Sequence, residues 1–265
     1  MTLALTILGC GSSGGVPRVA VGWGACNPDN PKNRRRRCSV LVERTGEDGV
    51  TSVLVDTSPD LRDQLLSVAV TRLDAVLITH EHADHTHGID DLRPLVIAMH
   101  RRMPIYADRV TSELLMSRFG YCFKTPPGSG YPPILTANRL QPGVPVSING
   151  PGGGLEAVPF RMVHGDIDAL GFRFGNIAYA PDVSEMPEAS LEHLQNLDVL
   201  ILDALRYTSH PTHFSVSEAL GFIEKVRPKR AILTNLHTDL DYDELASRLP
   251  PHVEPAYDGM RIEAV

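Results

Sequence analysis

The sequence predicts an α/β fold in which two β-sheets pack face to face and helices cover their outer sides. Three observations lead there. Short β-branched runs fill the opening of the chain, helix-period segments are interspersed among the later runs, and similar units recur in both halves. No clear repeat and no linker interrupts the 265 residues, so a single domain spanning 1–265 is expected.

The first strand is read at 3–9, where Leu3-Ala4-Leu5-Thr6-Ile7-Leu8 runs straight into a glycine-rich loop. Strands follow at 39–43, 53–56 and 75–79, each a run of Val, Leu, Ile or Ala that ends on a polar residue. Helix-period segments fall at 59–70, 91–101 and 111–120. The second half reads as strands at 155–163, 177–179, 199–202, 231–234 and 261–264, with helices at 189–196, 215–226 and 242–249. The clearest helix is the one from Ser215. Ser215 is an N-cap, Glu218 stands three residues on, and Leu220, Ile223 and Val226 share a stripe. Residues 124–154 carry Pro126-Pro127-Gly128, Pro132-Pro133 and Pro151-Gly152-Gly153-Gly154, and read as the stretch poorest in regular structure. A loop of that length borders an active site, meets another subunit or simply connects exposed strands.

Composition narrows the function classes. A hydrophobic content of 42% with 22% charged residues is that of a globular domain. A net charge of −7 argues against nucleic acid as a partner of the whole surface. No stretch approaches the ~20 apolar residues of a membrane helix, so no membrane partner is expected. Residues 1–8 lack a basic leader and read as a strand, not a signal peptide. Four cysteines, Cys10, Cys26, Cys38 and Cys122, form no CxxC pair, which fits a reducing cytoplasm.

The chemistry concentrates in His80-Glu81-His82-Ala83-Asp84-His85, directly after the apolar run 74–79. Three imidazoles and a carboxylate crowded at a strand end repel or desolvate one another unless a cation lies between them. Imidazole nitrogen and carboxylate oxygen are ligands that zinc, manganese and iron accept. Three further donors stand just past apolar strands: His164, Asp182 and His237.

Together the HxHxDH segment, His164, Asp182 and His237 resemble the metallo-β-lactamase superfamily over nearly the whole chain. That family is a four-layer αββα sandwich with a binuclear site at one edge. The resemblance implies two divalent ions, zinc or manganese. His80, His82 and His164 would hold the first, Asp84, His85 and His237 the second, and Asp182 would bridge them. A water shared by such ions becomes a hydroxide nucleophile near neutral pH, with Asp84 placed to accept its proton. Relatives commonly read Leu-Thr-His at the last strand end, whereas this chain has Leu233-Thr234-Asn235-Leu236-His237. Either Asn235 or, because i and i+2 share a face of a strand, His237 completes the second site.

Gly9-Cys10-Gly11-Ser12-Ser13-Gly14-Gly15-Val16-Pro17, the arginines at 34–37 and Ala256-Tyr257-Asp258-Gly259-Met260 resemble the phosphoribosyl cyclic phosphodiesterases of the carbon–phosphorus lyase pathway. The likeness to tRNA 3′-processing endonucleases is looser. This implies a small phosphate-ester substrate, such as a cyclic ribose phosphate or a nucleotide-like compound. Ser12 and Ser13 either donate to its phosphate or form a tight turn after the first strand. The arginine run neutralises phosphate or, the favoured reading, is structural. In those phosphodiesterases a histidine at the position of His213 protonates the leaving alkoxide, and Asp203 is placed to orient it. His210 is the weaker alternative, and His87 has no motif support. The cysteine cluster that helps those enzymes hold a structural zinc is reduced here to Cys26, so a third metal is not expected. Relatives are often dimers, which makes a homodimer an expected partner. A tRNA 3′-processing-type endonuclease, a lactone or thioester hydrolase (the same hydroxide attacks carbonyls) and a non-catalytic ligand-binding relative of the fold are the alternatives.

Overall fold

The computed structural model describes residues 2–264. β1 (Thr2–Gly9), β2 (Ser39–Gly46) and β3 (Gly49–Val55) form an antiparallel meander. β4 (Ala75–Leu77), β5 (Met103–Ala107) and β6 (Leu135–Arg139) extend it in parallel. The second sheet runs in spatial order through β7 (Val146–Gly150), β8 (Gly153–His164), β9 (Ile167–Phe174), β10 (Ile177–Ala180), β11 (Val199–Asp203), β12 (Arg230–Thr234) and β13 (Val253–Pro255). β14 (Arg261–Ala264) returns to the first sheet beside β1, giving two sheets of seven strands.

Both faces of each sheet are buried, and the period-2 alternation shows how. Leu5, Ile7, Val40, Val42, Val53 and Val55 meet Phe172, Phe174, Tyr179, Ile201 and Ile232 between the sheets. Their sequence neighbours Leu8, Leu41, Leu54 and Val76 face outward, where α1 (Leu61–Ser67) and the helical segments that follow bury them. These are the one-turn α2 (Ala83–Thr86), α3 (Arg93–Met99), α4 (Arg109–Arg118) and α5 (Gly120–Phe123). On the far side Ala178, Leu200, Leu202 and Leu233 pack under α6 (Val216–Val226) and α7 (Tyr242–Arg248). The result is the expected αββα sandwich. Ser215 and Glu218 form the expected capping box: the Glu218 amide donates to the Ser215 hydroxyl (3.3 Å) and the Ser215 amide to the Glu218 carboxylate (2.8 Å).

Two expectations need correction. The segment read as a helix at 189–196 is a 3₁₀ stretch, Glu188–Leu194. The region 124–154 contains two edge strands, β6, which is exposed along most of its length, and β7, whose alternation Val146-Ser147-Ile148-Asn149 is short and flanked by turn residues although Ile148 enters the core. The arginine run is largely structural, as favoured. Arg35 is buried and donates to Leu240 O (2.7 Å) and to Asn33 Oδ1 (3.2 Å), with Cys26 Sγ 3.8 Å away. Arg36 is tied to Asp258 at 3.0 Å and Arg37 to Asp60 at 2.6 Å. Among the described residues no candidate metal group includes a cysteine. No helix among them is long and apolar enough to cross a membrane.

Candidate metal centre

The site follows from where strands stop. His80 lies just past β4, His164 ends β8, Asp182 follows β10, Asp203 ends β11 and Asn235 follows β12. The parallel register of β10, β11 and β12 pairs Ala180 with Leu202 and Asp203 with Thr234, so these ends meet along one edge of the sheet. Parallel strands buried on both faces leave their terminal loops as the free place for polar side chains.

Hydrogen bonding determines which lone pairs point inward. Thr79 Oγ1 has one proton and gives it to the Asp56 carboxylate (2.9 Å), so it accepts from His80 Nδ1 (2.9 Å). His164 Nδ1 donates to Thr212 O (2.7 Å), and His85 Nδ1 donates to Asp56 Oδ2 (2.7 Å). In the neutral rings all three Nε2 atoms are therefore left as acceptors. His80 Nε2 and His164 Nε2 lie 3.0 and 3.2 Å from His82 Nδ1, and 3.8 and 3.7 Å from Asp182 Oδ2. His85 Nε2 lies 3.4 Å from both Asp84 Oδ2 and Asp182 Oδ1. Asp182 thus stands beside two donor groups, His80 with His82 and His164, and His80 with His85; Asp84, expected as a ligand, approaches only His85 and joins neither of these groups. Lone pairs converging at such distances repel unless a cation stands among them, whether a proton held at His85 or a divalent ion, so the donor set fits a divalent metal.

The protonation pattern agrees. Burial and the charge at His85 push the His80 imidazole well below its ordinary value. Burial would lower His85 as well, but Asp182, Asp56 and Asp84 outweigh it and hold that imidazole well above. Burial would raise Asp182, yet His85 and its neighbours keep it well below the usual carboxylate range. The pocket therefore keeps Asp182 ionised and draws positive charge to it.

His237 is not brought into the donor set, which corrects its expected role. Arg18, which can only donate, lies 2.9 Å from His237 Nε2, and Asp239 Oδ1 accepts from Nδ1 at 2.9 Å. Both ring nitrogens are spent. Asn235 sits instead in the left-handed conformation (φ 62°), buried, with Nδ2 3.1 Å from Asp203 Oδ1 and 3.4 Å from Asp182 Oδ1. Its amide faces two carboxylates as a donor, so it offers no lone pair in this arrangement. The second donor group is correspondingly poorer than the first.

His213 joins His164 and Asp182 at the rim, with donor atoms all within 4.8 Å of one another. Its Nδ1 donates to Asp203 Oδ2 (2.8 Å). Burial alone would lower the ring, but the bond to Asp203 and that carboxylate's charge raise it to about 9. Burial in turn lifts Asp203 to about 7. Of the two serines, Ser12 is buried with its Oγ unpartnered, while Ser13 is exposed. His210 stands beside His213, ring centroids 5.3 Å apart.

The family description "Beta-lactamase superfamily domain" matches residues 51–235, the span that holds all of these donors. The chain belongs to the β-lactamase superfamily. Within it, a crystal structure of a new diphosphatase from the PhnP family is 36% identical, covers 100% of this chain and 98% of that one, and superposes with a TM-score of 0.88. An octanoyltransferase of Porphyromonas gingivalis is 33% identical over 257 residues, 96% of this chain. That match takes in 50% of the relative, and the chain spans half or less of the curated relatives it matches. Zinc-bound PqqB from Methylobacterium extorquens, at 18% identity over 98% of this chain and 99% of that one, shares the fold with a TM-score of 0.75.

This superfamily member carries the fold and donor set of a metal-dependent hydrolase. Sequence reading missed the residues that orient the donors. Asp56, Thr79 and Arg18 belong to no motif, and their roles come from contacts across strands and loops. Asp56 was visible only as a strand end. Its positive φ of 65° and complete burial mark it as built for the two imidazoles it serves directly or through Thr79.

Proposed function

We propose that the chain is a phosphodiesterase that holds two divalent ions, zinc or manganese, and hydrolyses a small phosphate ester of cyclic ribose phosphate or nucleotide-like type. One observation carries the reading: a buried carboxylate, Asp203, aims the imidazole of His213 at the rim of the cluster that Asp182 spans. Cations bound there supply a Lewis acid and a nucleophile at neutral pH. The chain's own groups do the rest. Asp84, half-buried beside His85, accepts a proton from the attacking water. His213 gives its proton to the departing oxygen, which an alkoxide needs and an activated phenolate does not. The diphosphatase likeness supports phosphate chemistry over lactone or thioester hydrolysis. Four free cysteines support a cytoplasmic setting.

The test pairs elemental analysis with a hydrolysis screen of cyclic phosphates, linear diesters, lactones and thioesters. Up to two equivalents of zinc or manganese and turnover confined to phosphate esters are expected. Protein that takes up no divalent metal, or that prefers lactones or thioesters, refutes the reading.

A further inference from the structure

Beside the donor cluster opens a cavity of about 560 Å³ lined by His82, Ala83, His87, Arg118 and Phe119. Its size suits a small ligand, for which pockets run to roughly 300–1,000 Å³. Three features of its wall bear on what enters. His82, which faces His80 and His164 through Nδ1, also forms part of this wall, so the cavity adjoins the reacting region. Arg118, the last residue of α4, reaches across to donate to the carbonyl oxygen of Glu81 (2.5 Å), between His80 and His82. That bond ties the guanidinium to the metal-binding turn, and no carboxylate among the described residues pairs with it. Phe119, half-buried, packs edge to face with exposed His87, ring centroids 5.4 Å apart at 81°.

We propose that this cavity is a specificity subsite for the non-reacting end of a nucleoside-diphosphate-like substrate. A phosphate sits on Arg118 and a planar base lies against Phe119 and His87. A guanidinium presents forked donors that match phosphate oxygens, and it keeps donors to spare after one goes to Glu81. The aromatic pair offers flat apolar surface within the same cavity. A cation and rings sharing one pocket next to a candidate hydrolytic centre select a ligand that is both anionic and planar. Arg118, Phe119 and His87 are binding residues in this assignment and take no part in bond breaking. The subsite rests on the phosphodiester reading of the metal cluster and deepens it.

Calorimetry on metal-loaded protein tests this, with ADP, adenosine and pyrophosphate as probes and metal content measured on each sample. Arg118→Ala should weaken ADP and pyrophosphate about 10- to 100-fold, the loss of a charged hydrogen-bonded contact, while adenosine changes little. Phe119→Leu should weaken ADP and adenosine roughly three- to tenfold and leave pyrophosphate alone. Should Arg118→Ala lose metal, Arg118→Lys, which retains a donor for Glu81 O, reads the same contrast. ADP that fails to bind the wild-type protein overturns the proposal. So do ADP affinities unchanged in both variants, or Phe119→Leu losing pyrophosphate as much as ADP. A wild-type protein that binds ADP through Arg118 yet hydrolyses no phosphodiester would instead sink the function proposed for the centre and leave the subsite standing.

Discussion

Asp203→Asn should uncouple His213 from its charge while leaving the ring where it is. Asp203 Oδ2 accepts from His213 Nδ1 at 2.8 Å, and an asparagine oxygen can accept the same bond. What disappears is the negative charge. Burial lowers this imidazole, and the Asp203 bond and charge, followed by the charges of Asp182 and Asp84, carry it up to about 9. Without the Asp203 charge, burial is opposed only by the more distant Asp182 and Asp84, and the ring falls toward its ordinary value near 6.5. At pH 8 a complete fall takes the protonated fraction from about nine-tenths to about 3%, so proton delivery weakens by up to about 30-fold. Bound cations act on both proteins alike, so the difference between them is the quantity to read. The assay compares kcat from pH 6 to 9 for a diester with an alkyl leaving group and one with a p-nitrophenyl group. The alkyl ester should lose up to about 30-fold at pH 8, with its alkaline limb moved to lower pH, while the aryl ester changes little. Equal losses on both esters, or an unmoved alkaline limb, would refute the role of the pair.

Further outcomes follow from the same geometry. His237→Ala should leave bound metal unchanged by elemental analysis, because its nitrogens serve Arg18 and Asp239. Asp182→Ala should release metal, since both donor groups share that carboxylate. Asn235→His should raise metal occupancy under limiting metal by adding a lone-pair donor beside Asp182, which competition with a coloured chelator measures. Asp60→Asn should cost about 1–2 kcal/mol in urea unfolding near neutral pH, discounted because a quarter of the Asp60 side chain is open to solvent beside Arg37. Burial alone would raise the Asp60 carboxyl, but the Arg37 hydrogen bonds hold it below its ordinary value. Its contribution is therefore present above the unfolded value of about 3.9 and is lost as pH falls through the lower folded one.

The layered fold was legible where local pattern and tertiary need coincide. The core strands carry apolar runs because both faces are covered, and α6 announces itself through Ser215 and Glu218. Edge strand β6 was illegible because solvent faces most of its residues, and β7 because its four-residue alternation lies between turn-rich stretches. His80, His82, His85, His164 and Asp182 could be picked out from type and strand-end placement, though the same criteria also picked Asp84 and His237, which join no donor group among the described residues. A crowd of imidazoles and carboxylates is so costly without a cation that its spacing betrays its use.

What the chain order could not reveal is direction. Whether Asn235 or His237 reaches the second donor group depends on where Arg18 and Asp239 lie, more than two hundred residues before and two residues after His237. The tautomers of His80, His85 and His164 depend on Asp56, Thr79 and Thr212, brought to them only by sheet pairing and loop packing. His87 and Arg118 gain a shared cavity for the same reason. Residue type and spacing reflect local chemistry and could be read directly. The aim of each lone pair is a property of the packed sandwich, because a hydrogen bond acts over about 3 Å of space and takes no account of distance along the chain.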